Sequence, residues 1–485
     1  MTPVLDEIFA RQCAEHAGSV AIGSARQQLT YGELATRIAE VAPVLRNAAG
    51  TAARVAIYAG NSPGYVTAYL AVLRAGAVPF LMDPAWGHAE MSAMITHCGL
   101  TAIAHDRPLP DGIRAVSTGP LTGAIGLTLL PGPDGAPEML GDTEVCRFTS
   151  GSTGRPNCIE FSGSAVANAA RAWVGGTSMA RTDRVLCFAG LYNGLAFNTS
   201  LLPVFLAGAS LWLPTGLPTS GQVARFLREI APTWLTGFPA LYDSLLRREG
   251  PVPGLADLRV ALSSAAPLPV PTLAALRERF GLAVCNYYGI AETGPLTFDP
   301  DPRADAGLGY PLPGVEFAAP SSGRHDLRVR SSSQGSRYLN VPGGLAAKLD
   351  EDGYYRSGDV GEFRDGRLFL LGRAETINIG GRKVDAAEIR AVLLGCAGVE
   401  DAVVYAEDKE NGDPAIVAAV AGPGAPAPAE LRSRCASSLA AYKVPELVHV
   451  FDALPRTPLG KLRMTELRGL ITARRQPVPE HRKVD

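Results

Sequence analysis

The sequence predicts an α/β protein: a large N-terminal domain of parallel-rich sheets flanked by helices, followed by a small α+β C-terminal domain. Two patterns carry that expectation. Apolar runs of strand length alternate with helical stretches: Val55 to Tyr58, a helix around Val66 to Leu73, Val78 to Met82, Leu211 to Leu213 and Trp234 to Thr236. Parallel strands need a crossover that returns over one face, so strand-helix-strand alternation argues for parallel sheets covered by helices. Composition then shifts near Gly372-Arg373-Ala374-Glu375, and about a hundred residues follow, a normal size for a small domain.

That second segment reads as a strand over Thr376 to Ile379, a helix over Ala386 to Leu394, and strands over Val399 to Ala406 and Ile416 to Ala421. After a Pro/Ala-rich linker come a helix over Glu430 to Leu439 and a strand over Leu447 to Phe451. The domains are therefore placed at residues 1–374 and 375–472, and the polar, proline-containing tail 473–485 is expected to be disordered. Residues Asp106 to Gly141, rich in Pro and Gly, read as loop with short strands.

A chain of 485 residues exceeds one core, and a hydrophobic fraction of 47% allows large ones. The net charge of −2 gives no reason to expect nucleic acid or another polyanion, which leaves small molecules. Eight cysteines lie scattered, with no C-x-x-C pair and no zinc spacing, as expected for reduced thiols in a cytoplasm. Met1 to Ala10 reads as a helix and lacks the pattern of a signal peptide. Val185 to Pro214 has no charged residue and is long enough to span a bilayer. Its Asn193, Asn198, Thr199, Ser200 and Pro203 suit a buried strand, loop and helix instead, so no membrane span is expected.

The most informative segment is Thr149-Ser150-Gly151-Ser152-Thr153-Gly154-Arg155-Pro156-Asn157, between a strand expected over Glu144 to Phe148 and a helix expected over Ser164 to Trp173. Glycines let a backbone approach an anion, and hydroxyls donate to it, so this loop is suited to phosphate. Four more segments follow in order: Asn286 to Glu292 (Asn-Tyr-Tyr-Gly-Ile-Ala-Glu), Tyr355-Arg356-Ser357-Gly358-Asp359, Gly372-Arg373 through Gly380-Gly381-Arg382-Lys383-Val384, and Pro458-Leu459-Gly460-Lys461. Together they resemble the core motifs of the adenylate-forming superfamily, which holds acyl- and aryl-CoA synthetases, nonribosomal adenylation domains and luciferases. The nearest look is a stand-alone aryl-acid-activating enzyme.

The resemblance implies ATP-dependent conversion of a carboxylic acid to an acyl-adenylate with release of pyrophosphate, then transfer to a phosphopantetheine thiol. It implies that Thr149 to Gly154 embrace the β- and γ-phosphates, that Glu292 binds Mg2+, and that Tyr288 stacks on adenine, flanked by Tyr287 and Gly289. Ser264, Ala265 and Ala266 match the wall on the other face, Asp359 the acceptor of the ribose hydroxyls, and Arg373 a ribose and phosphate contact. Lys461 matches the catalytic lysine, carried on a mobile lid that hinges at Glu375 and lines a thiol tunnel with Gly380 and Gly381. Three positions depart from the family pattern: Asn157 stands where a Lys is usual, Gly163 where a His often follows, and Ala291 where Thr is commonest.

Amino-acid-activating relatives carry an Asp in the segment that here falls near Asn193 to Leu195, and no acid occurs from Val185 to Arg225. A buried ammonium without a carboxylate is costly, so an ordinary α-amino acid is disfavoured. Tyr192-Asn193 resembles instead the His-Asn pair of dihydroxybenzoate- and salicylate-activating enzymes. The acyl pocket is therefore expected to contain Tyr192, Asn193, Gly194, Ser263, Pro295 and Leu296, and to take an aromatic or heteroaromatic acid. A small aliphatic, hydroxy or non-proteinogenic amino acid comes second, and a catalytically degenerate nucleotide-binding regulator is the reading from another class. No carrier attachment site is present, so CoA or a separate carrier protein would act in trans, in keeping with natural-product biosynthesis.

Overall fold

The computed structural model describes residues 3–132, 135–149, 156–215, 219–264, 268–318, 325–373, 376–379, 382–408, 414–457 and 462–475. The chain forms two compact units. One comprises Met1–Pro320, Arg328–Ser357 and Phe363–Phe369, and the other Ser321–Leu327, Gly358–Glu362 and Leu370–Asp485. The boundary expected at 374/375 lies outside the described residues.

The first unit holds two large sheets. Seven strands run in the order Val284–Asn286, Val260–Ser263, Trp234–Gly237, Arg184–Cys187, Ser210–Trp212, Val20–Gly23 and Gln28–Thr30, all parallel except the last pair. Eight more run in the order Arg337–Tyr338, Asn157–Ser162, Thr143–Thr149, Val78–Leu81, Arg54–Tyr58, Ala102–His105, Ile125–Leu129 and Ser117–Thr122. Their four central strands, Thr143–Thr149 to Ala102–His105, are parallel, and the flanking ones antiparallel. The anticipated α/β class holds. Central strands are covered on both faces, which is why Val55, Ala56 and Ile57 are all fully buried.

Local signals start the helices. Ser62 caps Pro63–Arg74 by accepting from Tyr65 N at 3.0 Å, with Pro63 in the first turn, where its missing N–H costs nothing. Thr30 and Glu33 form a reciprocal capping box on Tyr31–Ala49. The first helix, Val4–His16, is capped from far away in sequence, because the buried Glu144 carboxylate accepts from Val4 N at 2.6 Å and Leu5 N at 3.0 Å. This explains one departure from the family pattern: a Cβ at Gly163 would lie 2.6 Å from Glu144 Oε2, so no side chain fits there.

The uncharged segment becomes the strand Arg184–Cys187, the helix Gly194–Ala196, a π-helical turn Phe197–Leu201, the helix Leu202–Ala207 and the strand Ser210–Trp212. Among the described residues no helix is long and apolar enough to cross a membrane. Trp173, on the helix Gly163–Thr177, meets the rings of Trp234, Tyr287 and Phe298 edge to face at centroid distances of 6.2, 5.4 and 5.7 Å.

In the second unit a hairpin pairs Thr376–Ile379 with Arg382–Asp385, and a three-stranded sheet joins Asp401–Asp408, Pro414–Ala421 and Leu447–Phe451. The central strand is buried on both faces. Ile416, Ala418 and Val420 pack with Ile389, Leu393 and Leu431 from the helices Ala386–Leu394 and Pro428–Ser438, while Val417, Ala419 and Ala421 face Phe451, Leu454, Leu467 and Ile471. The last two belong to a helix, Met464–Arg475, that the sequence reading lacks. It also corrects the start of the tail: the helix runs through Ala473 to Arg475, because Leu467 and Ile471, four residues apart, seal the second face of the sheet. Residues 476–485 lie outside the described residues.

A charged knot ties the helix Gly163–Thr177 to the seven-stranded sheet. Buried Asp183 accepts from Ala180 N at 2.8 Å, Thr233 Oγ1 at 2.7 Å and Arg259 Nη2 at 2.5 Å, and Arg259 also donates to Thr177 O at 3.1 Å. Burial opposes ionisation of Asp183, but these hydrogen bonds outweigh it and hold the carboxyl below the ordinary carboxylate range. A depressed folded-state value means that its stabilisation is complete above the unfolded value of about 4 and is lost as pH falls through the lower folded one. Asp183→Ala should therefore cost about 3 kcal/mol at neutral pH, near the low end for a broken buried pair because Arg259 is partly exposed. Urea midpoints should show that deficit shrinking as pH falls from about 6 to about 3.

Candidate active site

Parallel register lines up the carboxyl ends of four strands: Cys187 pairs with Thr236, Gly237 with Ser263, and Ser263 with Asn286. The chain leaving these ends carries Tyr192 to Gly194, Ser264, and Tyr287 to Glu292. Loops diverging from the carboxyl edge of a parallel sheet form its natural ligand crevice. Tyr287 N donates to Ser263 O at 2.9 Å, bringing two of the sequence-predicted pocket residues together. Asn286, given no role by the sequence reading, braces the segment after Ser264: its Oδ1 accepts from Leu268 N at 2.9 Å.

The phosphate-loop segment is closed at its base by the pairing of Thr149 with Asn157. Asn340 holds its exit, donating to Pro156 O at 2.9 Å and accepting from Cys158 N at 2.8 Å. Ser150, Gly151, Ser152, Thr153 and Gly154 lie outside the described residues, as do Ala265, Ala266, Glu375, Gly380, Gly381 and Lys461. Asp359 is buried in the strand Tyr355–Arg364, and Arg373 closes the strand Arg367–Arg373. Tyr288 is buried.

Glu292 sits on a short hairpin in which Gly289 pairs with Pro295 and Ile290 with Gly294, while Leu296 N and Thr297 N both donate to Tyr288 O. Its carboxylate is buried and accepts from the Tyr338 hydroxyl at 2.5 Å. Lys348 Nζ lies 3.5 Å from the same carboxylate and donates to the hydroxyls of Tyr338 at 3.0 Å and Tyr355 at 3.3 Å. Burial, then the nearby carboxylate, raise both phenols, so they stay protonated donors. Asn157 also interacts with the Tyr338 hydroxyl. An ammonium from Lys348 thus stands next to the position where the family pattern leads one to expect a lysine. Among the described residues no three His, Cys, Asp or Glu side chains gather to hold a metal. A magnesium ion here would take Glu292, phosphate oxygens and water, which suits its preference for few protein ligands.

On the acid side, Asn61 donates to Ala189 O at 2.8 Å and accepts from Leu191 N at 2.9 Å, fixing the turn before Tyr192. Tyr192 stands beside Asp83 and is raised mainly by burial. Asn193 caps the helix Gly194–Ala196, its Oδ1 accepting from Leu195 N at 3.0 Å. That is the local backbone role open to any Asn at a turn.

Behind this segment lies Arg147, which the sequence reading passed over. Its side chain is buried, with the guanidinium 4.3 Å from the Phe161 ring centre and 5.0 Å from that of Phe197. Nη2 donates to Ala291 O at 3.1 Å, and a Cβ on Gly194 would lie 2.9 Å from Nη1, so glycine at 194 makes room for the charge. Nε has no acceptor among the described residues, nor does any described carboxylate form an ion pair with Arg147. A lone arginine in the otherwise apolar run Val145-Cys146-Arg147-Phe148 is a signal visible in the sequence.

Comparison with known proteins accords with this layout. Residues 9–319 match the model of the AMP-binding enzyme family, and residues 388–461 that of the AMP-binding enzyme C-terminal domain. The chain is 28% identical to a 3-hydroxybenzoate–CoA ligase of Aromatoleum sp. (strain CIB), over 97% of each chain. It is 30% identical to novobiocin biosynthesis protein H of Streptomyces niveus, covering 94% of this chain and 81% of that one. The crystal structure of ATP-bound MatB from Rhodopseudomonas palustris superimposes with a TM-score of 0.77 at 22% identity, over 97% of this chain and all of that one, and so shares the fold. The chain belongs to the AMP-binding enzyme family, as an acid–thiol ligase that works through an acyl-adenylate.

Proposed function

We propose that this enzyme uses ATP with magnesium to activate an aromatic or heteroaromatic carboxylic acid, then passes the acyl group to the phosphopantetheine thiol of CoA or of a separate carrier protein, in natural-product biosynthesis. A carboxylate oxygen attacks the α-phosphorus and pyrophosphate leaves. The thiol sulfur then attacks the acyl carbon, AMP leaves, and the thiol proton is released. The first step brings two anions together, so neutralisation and alignment dominate. Lys461 would bridge the attacking carboxylate and the α-phosphate, Asp359 and Arg373 would hold the ribose, and Glu292 would hold the magnesium that offsets phosphate charge.

The observation that carries the choice of acid is the makeup of the segment after Cys187. It contains no carboxylate to meet an ammonium, and a cation, Arg147, lies against Gly194. Both disfavour an α-amino acid. The Asn193 amide nitrogen can donate to a polar ring substituent, and the kinship with a hydroxybenzoate–CoA ligase supports an aryl acid.

Acid-dependent exchange of labelled pyrophosphate into ATP should be found with aryl acids, highest for those bearing a polar substituent ortho to the carboxyl. Asn193→Ala should remove most of that ortho preference while sparing benzoate. Best activity with an α-amino acid, or equal loss for every acid, refutes this pocket; no exchange with any acid would favour the regulator.

Lys461→Ala should lower adenylate formation by roughly a hundred to a thousandfold, as when one transition-state donor is removed, yet spare thioester formation from preformed acyl-adenylate. Single-turnover assays of each half-reaction decide it, and equal losses refute the assignment.

Lys348→Gln should raise the KM for ATP, because the cation beside Glu292 and Asn157 is gone. Asn157→Lys in the same chain should restore it, while Asn157→Lys alone should change it little. Failure of the double variant to recover would show that Lys348 does not stand in for the missing loop lysine.

A further inference from the structure

Arg147 is a buried cation that forms no ion pair with a carboxylate among the described residues, and its surroundings indicate what should complete it. The guanidinium is enclosed by Phe161 and Phe197, abuts Gly194, and reaches the Ala291 carbonyl. Tyr287 interacts with it electrostatically, as do Tyr69, whose own buried hydroxyl has no partner among the described residues, and, last of the three, the Glu292 carboxylate, which lies too far for an ion pair. Burial lowers Arg147 to about 10, which still leaves it charged at neutral pH. Aromatic faces and one carbonyl soften the cost of burying that charge but do not balance it. Nε has no acceptor among the described residues.

We propose that Arg147 is a specificity residue that receives a second carboxylate on the acid substrate, so that the enzyme activates aryl dicarboxylic acids at one carboxyl while Arg147 holds the other. The inference rests on the proposed acid-activating function and on Gly194 and Tyr287 lining the acyl pocket. A neutral hydroxyl would accept a hydrogen bond but leave the charge uncompensated. A carboxylate accepts from a guanidinium fork and neutralises it, in surroundings where that pairing is strong. The nucleotide is the less fitting anion, because two phenyl rings and Gly194, from the segment expected to line the acyl pocket, lie against the guanidinium.

The test compares kcat/KM in pyrophosphate exchange for benzoate, phthalate, isophthalate, a hydroxybenzoate and succinate, on the wild type, Arg147→Gln and Arg147→Lys. One aryl dicarboxylate should exceed benzoate roughly a hundredfold on the wild type. Arg147→Gln should erase that ratio with little change for benzoate, and Arg147→Lys, which keeps charge without the fork, should restore part of it. The KM for ATP should stay unchanged in both variants, and the Tm of Arg147→Gln should not fall, since an uncompensated buried charge has been removed. Benzoate or hydroxybenzoate as the best substrate overturns the proposal and leaves the aryl-acid function standing. A raised KM for ATP, with all acids affected alike, assigns Arg147 to the nucleotide and also overturns it. If Arg147→Gln does not fold, the Arg147→Lys ratio alone decides, and an unchanged dicarboxylate preference in it overturns the proposal. Arg147-dependent activation of succinate, with no aryl acid used, keeps the second-carboxylate role and refutes the aromatic reading.

Discussion

The contact on which the active-site geometry of the first unit depends is the aromatic cluster around Trp173. This residue is fully buried on the helix that follows the phosphate-loop hairpin, and it meets Trp234 on a strand of the seven-stranded sheet, Tyr287 at the start of the Glu292 segment, and Phe298 beyond it. One side chain thereby sets three segments that chemistry must keep in register. Edge-to-face rings resist sliding because each hydrogen-bearing edge is held against a neighbour's face. Neither Trp173 nor Trp234 has a hydrogen-bond partner for its indole nitrogen among the described residues, so ring packing does most to position them. Asp183 and Arg259 add a directional lock, with the guanidinium 5.0 Å from the Trp234 ring centre.

On that frame the protein must gather positive charge, since both substrates are anions and neither attracts the other. The described site does this unevenly. Near Glu292 the cation is Lys348, part-exposed and bound to phenols. Near Gly194 it is Arg147, buried and fixed by rings. A part-exposed ammonium can meet a polyanion that enters from solvent, whereas a buried guanidinium held by rings can only meet a group that fits its surroundings.

Much of the fold is legible in the sequence because central parallel strands are apolar on both faces and helix starts are marked locally, as at Ser62-Pro63 and Thr30 to Glu33. The helix Ala386–Leu394 and the strand Leu447–Phe451 match their expected limits. What escaped depends on distant partners. The helix Met464–Arg475 buries Leu467 and Ile471 against a sheet whose need for cover the sequence does not display. Glu144 reads as the first residue of a strand and turns out to cap a helix 139 positions earlier. Within the site, motif residues are legible, while Tyr338 and Lys348 are not, since nothing local ties them to Glu292. Arg147 was visible as a charge in an apolar strand, yet only the structure shows that it forms no ion pair with a carboxylate among the described residues.

The departures at Asn157 and Gly163 lead to one last step. Each is a loss if read alone: a missing ammonium, a missing imidazole. In three dimensions each is matched by a residue from another element. Gly163 is required by the Glu144 carboxylate, which could not approach the first helix past a side chain. Asn157 shares the Tyr338 hydroxyl with Lys348, so a lysine at 157 would bring a second ammonium to a phenol that already accepts one. Like charges at such distance destabilise each other unless an anion lies between them. Reading these two positions one by one therefore misses what Glu144, Tyr338 and Lys348 supply beside them from other elements.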